Sequence, residues 1–239
     1  MSTSVKNKLE QIEARIAQAC LRSGRSRDEI EIIAVTKYVP IARAEEALDE
    51  GLRHLGENRW QDAQEKWTAI ESDDAYSGNK APIWHFIGSL QSNKVKDVIG
   101  KFTYIHSLDR LSLAEAIDKR AKQLSMKVPC FIQVNVSGEQ SKHGLTPDGL
   151  FDFVEQLKGF EGITPIGLMT MAPFEAKPEQ TRPVFRALRE LRDKLQSGNS
   201  ASNTIKHLSM GMSNDFEVAI EEGATWIRLG TILVGKEEE

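Results

Sequence analysis

Along the chain, short unbroken apolar runs alternate with longer stretches in which apolar positions recur every three or four residues. The first pattern is that of a strand buried on both faces, the second that of an amphipathic helix laid against it. Strand-like runs read as "EIIAVTK" (31 to 37), "LRHLGE" (52 to 57), "IWHFIG" (83 to 88), "FTYIHS" (102 to 107), "CFIQVNV" (130 to 136), "ITPIGLMTM" (163 to 171), "IKHLSMG" (205 to 211) and "TWIRLGT" (225 to 231). Helical periodicity covers 4 to 23, then 41 to 50, 58 to 71, 93 to 100, 109 to 126, 146 to 158, 178 to 196 and 214 to 222, the last followed by Gly223 as a stop signal. One opening helix and then eight strands separated by helices predict an α/β fold, a single (β/α)8 barrel of TIM type over residues 30 to 235 with an extra N-terminal helix. An open doubly wound sheet is the alternative, but no GxGxxG follows the first strand. The polar stretches 71 to 82 and 196 to 204 read as surface loops, because βα units continue on both sides. One domain is therefore expected over residues 1 to 239.

Composition narrows the function classes. With 40% hydrophobic and 28% charged residues the chain can bury a full core. The net charge is -4, and Lys and Arg are scattered among Asp and Glu, which excludes a basic stripe for a nucleic-acid backbone. Cys20 and Cys130 stand far apart and outside any CxxC spacing, as reduced structural thiols do. The N-terminus lacks the apolar segment of a secretion signal, and no later run approaches the length of a membrane span, so a cytoplasmic protein with no membrane partner is expected.

In a barrel of this kind chemistry gathers at the C-terminal ends of the strands. There the sequence places Thr36 and Lys37, Glu57 and Asn58, His85, His106 and Ser107, Asn135 and Ser137, Met169 to Met171, Ser209 to Ser213, and Arg228 to Thr231. A desolvated lysine at such a rim has a lowered pKa and is fit to form a Schiff base. Lys37 is that lysine, unless it reaches past Tyr38 into solvent. "LSMGMSNDFEVAIEEG" puts glycine and serine ahead of a helix that Ser213 or Asn214 would cap, with Glu217 as capping-box partner. "IRLGTILVG" supplies a second glycine turn at Gly230 and Thr231. Loops after strands seven and eight commonly hold phosphate in these barrels. Arg228, two residues before Gly230, would lie inside the mouth and need a partner there. An imine-forming lysine, a phosphate cradle and an arginine between them match the aldehyde, phosphate and ring nitrogen of pyridoxal 5′-phosphate (PLP). An arginine opposite the ring nitrogen cannot accept a proton, so the ring would remain a weak electron sink.

"AVTKYVP", "GENRWQDA", "WHFIGSLQSNK", "IHSLDR", "QVNVSGEQSKHGL", "GLMTMAP" and "LSMGMSNDFEVAIEEGATWIRLGT" together resemble, block by block and in order, the pyridoxal phosphate homeostasis protein family, the YggS/PROSC group. The resemblance spans residues 30 to 235 and departs only slightly, at Arg59-Trp60. It implies the barrel of the alanine racemase N-terminal domain, with the cofactor held as an internal aldimine on Lys37. It also implies that Ser213, Gly230 and Thr231 bind the phosphate and that Arg228 faces the ring nitrogen. Asn58, His85, Ser209 and Met210 would line the pocket. Lys142 could serve as a second amine, and Asn93 and Lys94 could face the entrance, although Ser92 could equally cap a helix there.

The chain stops nine residues after Gly230, without the second domain that supplies an opposing base in the racemases. The expectation is a monomeric PLP-binding protein that serves PLP homeostasis or delivery to apo-enzymes without strong catalysis. A weak racemase-like enzyme and a lysine aldolase acting on a phosphosugar are the alternatives.

Overall fold

The computed structural model describes residues 4–139, 143–173, 176–198 and 204–235. Eight parallel strands close into a barrel in chain order: β1 Glu31–Val35, β2 His54–Glu57, β3 Ile83–Phe86, β4 Tyr104–Leu108, β5 Val128–Gln133, β6 Ile163–Met169, β7 His207–Ser209 and β8 Trp226–Leu229. Around them lie α1 Val5–Ser23, α2 Ile41–Asp49, α3 Trp60–Glu71, α4 Val95–Val98, α5 Leu111–Gln123, α6 Leu150–Leu157, α7 Pro178–Gly198 and α8 Phe216–Glu221. The expected fold is therefore present, with strands and most helices shorter than the runs that announced them and α7 two residues longer. The region expected as a helix over 93 to 100 is a 3₁₀ turn, Ser92–Lys94, followed by the single turn of α4.

Side chains alternate across each strand, and this period of two divides the core. Ile32 and Ala34 of β1, Leu208 and Met210 around β7, and Ile227 and Leu229 of β8 face outward into the large apolar shell shared with the helices. Ile33, Phe131, Met169 and Trp226 face inward and fill the barrel itself, with Tyr104 and Ile166 packed on them. The inward row of β8 thus runs from Trp226 in the inner core to Arg228, and then to Gly230 at the rim. Register aligns the rows: Glu31 pairs with Trp226 and Ile33 with Arg228, while His54 pairs with Ile33 on the other side of β1.

The extra helix α1 begins at Ser4, whose hydroxyl accepts from the Asn7 N–H, and ends at Gly24 in the left-handed conformation at φ 66. It buries Ile12, Ile16 and Ala19 and packs against α8. An arginine–glutamate ladder ties the same elements together, with Arg15 and Arg22 on Glu217, Arg22 and Arg182 on Glu221, and Arg182, Arg186 and Arg189 on Glu222. Glu217 therefore does not form the capping box expected of it. Cys20 and Cys130 are buried free thiols, and burial pushes both thiol pKa values up. Among the described residues no helix is long and apolar enough to cross a membrane.

Candidate functional site

A cavity of about 500 Å³ opens at the C-terminal mouth of the barrel, where β1, β2, β7 and β8 end. Lys37, Asn58, Ser213, Arg228, Gly230 and Thr231 all line it, so six positions singled out in the sequence converge in one place. Ile87, Met171 and Pro173 give it apolar walls; Gln133, His143 and Asp215 complete the polar ones.

On the β1 side the chain leaves the strand through a strained turn. Tyr38 adopts φ 63, in the left-handed region that bulky side chains rarely enter. Lys37 is exposed, contrary to the expectation that it is desolvated, and its Nζ stands 5.7 Å from the Tyr38 ring. The reason lies in the strand, which stops at Val35, two residues earlier than the apolar run implies, so Lys37 already belongs to the turn. The Asn58 side chain donates to the Tyr38 hydroxyl at 3.1 Å, while its Oδ1 is buried without a partner among the described residues. Beneath the turn is a fully buried ion pair: Lys66 Nζ donates to Glu57 Oε1 at 2.8 Å and to the Thr36 carbonyl at 2.6 Å, and the Thr36 hydroxyl donates to the same Glu57 oxygen at 2.7 Å. Lys66, invisible to a search of strand ends because it lies on α3, thus clamps the carbonyl that immediately precedes Lys37.

On the opposite side the loop after β7 turns at Gly211, φ 88, where a Cβ would stand 2.5 Å from the Ala219 Cβ. Here glycine is required twice over, by conformation and by contact. The Met212 N–H donates to Asp215 Oδ1 at 2.6 Å, and α8 starts only after Asp215. The residue at the cap position is therefore Asp215 and not Ser213 or Asn214, which line the cavity, and the Asp215 side chain braces the preceding loop without bonding to the first turn of α8. The backbone N–H groups of Ser213, Asn214 and Thr231 make no hydrogen bond to another described residue. Burial raises the Asp215 pKa, with the Met212 N–H and Arg228 pulling against it.

Arg228 is buried beneath the cavity floor, 4% exposed. Its Nη1 donates to Ser209 Oγ at 2.6 Å and its Nη2 to the Thr170 carbonyl at 2.9 Å. The partner that a buried guanidinium requires is thus a hydroxyl and a carbonyl, not a carboxylate, and burial lowers its pKa to about 10.

Three expected pocket residues lie elsewhere. Met210 is fully buried on the outward face, one step from the inward Ser209, and packs against the helices. Ser209 and His85 do face inward, but are fully buried below the cavity and do not line it. Ser209 accepts from Arg228 there, and His85 Nδ1 lies 2.9 Å from His106 Nε2. Asn135 and Ser137 bond to one another in the turn after β5. Lys94 lines an adjoining groove of about 570 Å³, which shares Asn58, Gly88, Ser89 and His143 with the cavity, and Asn93 lines neither. Ser92 does not cap a helix; its hydroxyl reaches the Ser112 carbonyl at 3.5 Å. Lys142 lies outside the described residues. Of the residues missed, Gln133 and Asp215 carried a readable signal, being polar at an inward strand position and at a helix start.

Residues 8–238 match the family described as alanine racemase, N-terminal domain. The chain is 44% identical over 229 residues to a pyridoxal phosphate homeostasis protein of Aquifex aeolicus, covering 96% of each. It is similar to a crystal structure of an unknown protein from Bifidobacterium adolescentis, at a TM-score of 0.88 and 34% identity, covering 96% of this chain and 94% of that one. It is also similar to PipY of Synechococcus elongatus PCC7942 solved with PLP bound, at a TM-score of 0.78 and 35% identity, covering 94% of this chain and all of that one.

Proposed function

The chain belongs to the pyridoxal phosphate homeostasis protein family, and from that premise we propose that it binds PLP at the barrel mouth, covalently on Lys37, and gives it up again without turning over a substrate of its own. One observation carries the reading: the cavity gathers an amine, a buried guanidinium that among the described residues is hydrogen-bonded to a hydroxyl and a carbonyl and feels the Asp215 carboxylate only at longer range, and backbone N–H groups from two loops with no acceptor among the described residues. PLP supplies an aldehyde, a ring nitrogen and a phosphate dianion, one for each. The N–H groups of Ser213, Asn214 and Thr231, with the Ser213 and Thr231 hydroxyls, hold the anion, and Gly230 keeps the rim clear of a side chain. Arg228 offers only donors to the ring nitrogen and so keeps it unprotonated. Asn58 Oδ1 is an acceptor for a ligand hydroxyl. The exposure of Lys37 suits a bond that is made and broken in contact with water.

The lack of turnover is supported by the names of the relatives and by Arg228, which withholds the proton that strong carbanion stabilisation needs. A single-domain monomer in the cytoplasm, handing PLP to apo-enzymes, completes the reading.

Mixing the protein with PLP, reducing with borohydride and mapping peptides tests it. The pyridoxyl group is expected on the Lys37 peptide, and Lys37→Ala is expected to retain PLP non-covalently, about tenfold more weakly, because charge-assisted bonds to the phosphate are each worth roughly 1.5–3 kcal/mol. An adduct on Lys94 or Lys142, or a folded Lys37→Ala protein with no affinity for PLP, overturns the assignment. Turnover of common amino acids at about 1 s⁻¹ or faster, as ordinary enzymes show, overturns the carrier reading.

A further inference from the structure

Three imidazoles run in single file through the barrel interior. His54 Nδ1 is 2.9 Å from His85 Nε2, His85 Nδ1 is 2.9 Å from His106 Nε2, and His106 Nδ1 is 2.9 Å from Ser209 Oγ, which accepts from Arg228. The file begins at the N-terminal end of β2, where His54 Nε2 lies 3.7 Å from the half-exposed Glu31 carboxylate, and it ends at the cavity floor. The ring planes are held by their neighbours. His85 stacks on Tyr104 at 4.7 Å, His106 stacks on Phe131 at 4.3 Å, and Trp226 sits edge-on to His54 at 4.9 Å.

One arrangement of protons satisfies every member. A guanidinium has only donors, so Ser209 Oγ accepts from Arg228. The Ser209 hydroxyl proton then has one acceptor among the described residues, His106 Nδ1. His106 is thereby the Nε2–H tautomer, His85 Nδ1 must accept, His85 Nε2–H donates to His54 Nδ1, and the His54 Nε2–H points toward Glu31. Reversing the file would set two donors against Ser209 Oγ and leave its hydroxyl proton without an acceptor at a fully buried site. A proton added to His85 Nδ1 would meet the His106 Nε2–H head to head, and one added to His106 Nδ1 would meet the Ser209 hydroxyl proton.

We propose that Ser209, His106, His85 and His54 form a hydrogen-bond chain of fixed polarity that positions Arg228 and determines which of its N–H groups are left for a ligand. The proposal rests on the PLP reading above in that the ligand is the cofactor ring. Branched apolar residues ordinarily fill such barrels, and Ile33, Phe131 and Met169 do so here. Polar side chains from β2, β3, β4 and β7 meeting end to end inside that core are a costly way to fill space, since each needs its partner. What they achieve is specific: a lone pair is presented to a cation that forms no ion pair among the described residues and feels Asp215 only at longer range. Of the five N–H groups of Arg228, Ser209 and the Thr170 carbonyl take two, which leaves three without an acceptor among the described residues.

Nitrogen-15 NMR of histidine- and arginine-labelled protein, without added ligand at neutral pH, tests the chain directly. His85 and His106 are expected neutral, with protonated Nε2 and hydrogen-bonded Nδ1. In Ser209→Ala the His106 Nδ1 loses its donor, both tautomers become mixed and the Arg228 side-chain signals shift, whereas Ser209→Thr keeps the parent pattern. With PLP, Ser209→Ala is expected to bind at least tenfold more weakly and to shift the visible band, and Ser209→Thr to stay within about twofold of the parent. An Nδ1–H or charged His106 in the parent protein overturns the proposal even if Ser209→Ala fails to fold. So does a folded Ser209→Ala protein with unchanged tautomers and PLP affinity. Failure of the parent to bind PLP strikes the functional reading, whereas the tautomers of the ligand-free protein test the chain's polarity separately.

Discussion

The barrel holds polar groups in two regions and treats them in opposite ways. In the interior, His54, His85, His106, Ser209 and Arg228 are joined at 2.6–2.9 Å, each occupying its neighbour. At the mouth Lys37 is exposed, Tyr38 is held at φ 63, Asn58 Oδ1 has no partner, and the N–H groups of Ser213, Asn214 and Thr231 meet no acceptor among the described residues. Capacity to bind is thus kept where a ligand arrives, and geometry is fixed before it does. A mouth with spare valences must be held from outside. The Lys66–Glu57 pair does this under β1, and the arginine–glutamate ladder on α1, α7 and α8 does it under β8.

Acid should break the comparison most severely, because it falls on the buried imidazoles of the interior. Burial pushes the pKa values of His85 and His106 well below the usual imidazole value, the Arg228 cation adding to it at His106 and the adjacent imidazoles resisting a second charge at His85, and burial lowers His54 to about 4. Above about pH 6.5 these groups are neutral in both folded and unfolded chains and have no effect on stability. Below it the unfolded chain takes up protons that the folded chain refuses, so stability falls as pH falls, by about 1.4 kcal/mol per pH unit for each fully buried imidazole. Urea melts between pH 7.5 and 5 should show a steep loss starting near 6.5, with a shallower slope in a folded His85→Phe/His106→Phe protein. Equal slopes would mean that the interior file is not neutral.

Next in size is the support beneath Lys37. Lys66→Met removes one member of a buried ion pair and leaves the Glu57 carboxylate, whose Oε2 has no partner among the described residues, with the Thr36 hydroxyl as its one remaining partner among them. A loss of about 3–5 kcal/mol is expected by chemical denaturation. The double variant Glu57→Gln/Lys66→Met should recover most of it and still bind PLP less tightly, since the Thr36 carbonyl loses its clamp. If the single variant costs less than about 1 kcal/mol, the mouth is not supported from this side.

How much of this could be read beforehand follows from the range of each interaction. The fold was legible because strand and helix periods are local, and the loops after β7 and β8 were legible because glycine and serine ahead of a helix have a local meaning. The outward orientation of Met210 was available in principle from the alternation beside Ser209. The exposure of Lys37 was not, because nothing local announces that an aromatic residue will take a left-handed φ. Nor was the histidine file. His85 and His106 are visible near strand ends, but the bond from His106 to Ser209 crosses the barrel between residues 103 positions apart, and closure alone brings them together. Lys66 was hidden for the same reason, as its partners belong to the turn after β1 and to β2 while it lies on a helix.

The smallest expected effect concerns the strain stored in the turn at Tyr38. Its phenol contributes a hydrogen bond to Asn58 at 3.1 Å and a ring 5.7 Å from Lys37 Nζ, both in contact with solvent and therefore worth little. Its backbone stands at φ 63, which glycine adopts freely and alanine does not. Tyr38→Ala should lose the contacts and keep the strain, whereas Tyr38→Gly should lose the contacts and relieve it. A positive-φ position disfavours alanine by more than the 0.4–1 kcal/mol that glycine costs through the unfolded chain, so the glycine variant should be the more stable of the two by about 1 kcal/mol. PLP exchange sharpens the reading. If the strained turn serves to present Lys37, the glycine variant should load PLP more slowly than the parent at equal or greater stability than the alanine variant. Alanine and glycine variants of equal stability would instead show that the left-handed turn carries no strain, and that Lys37 stands exposed for want of packing alone.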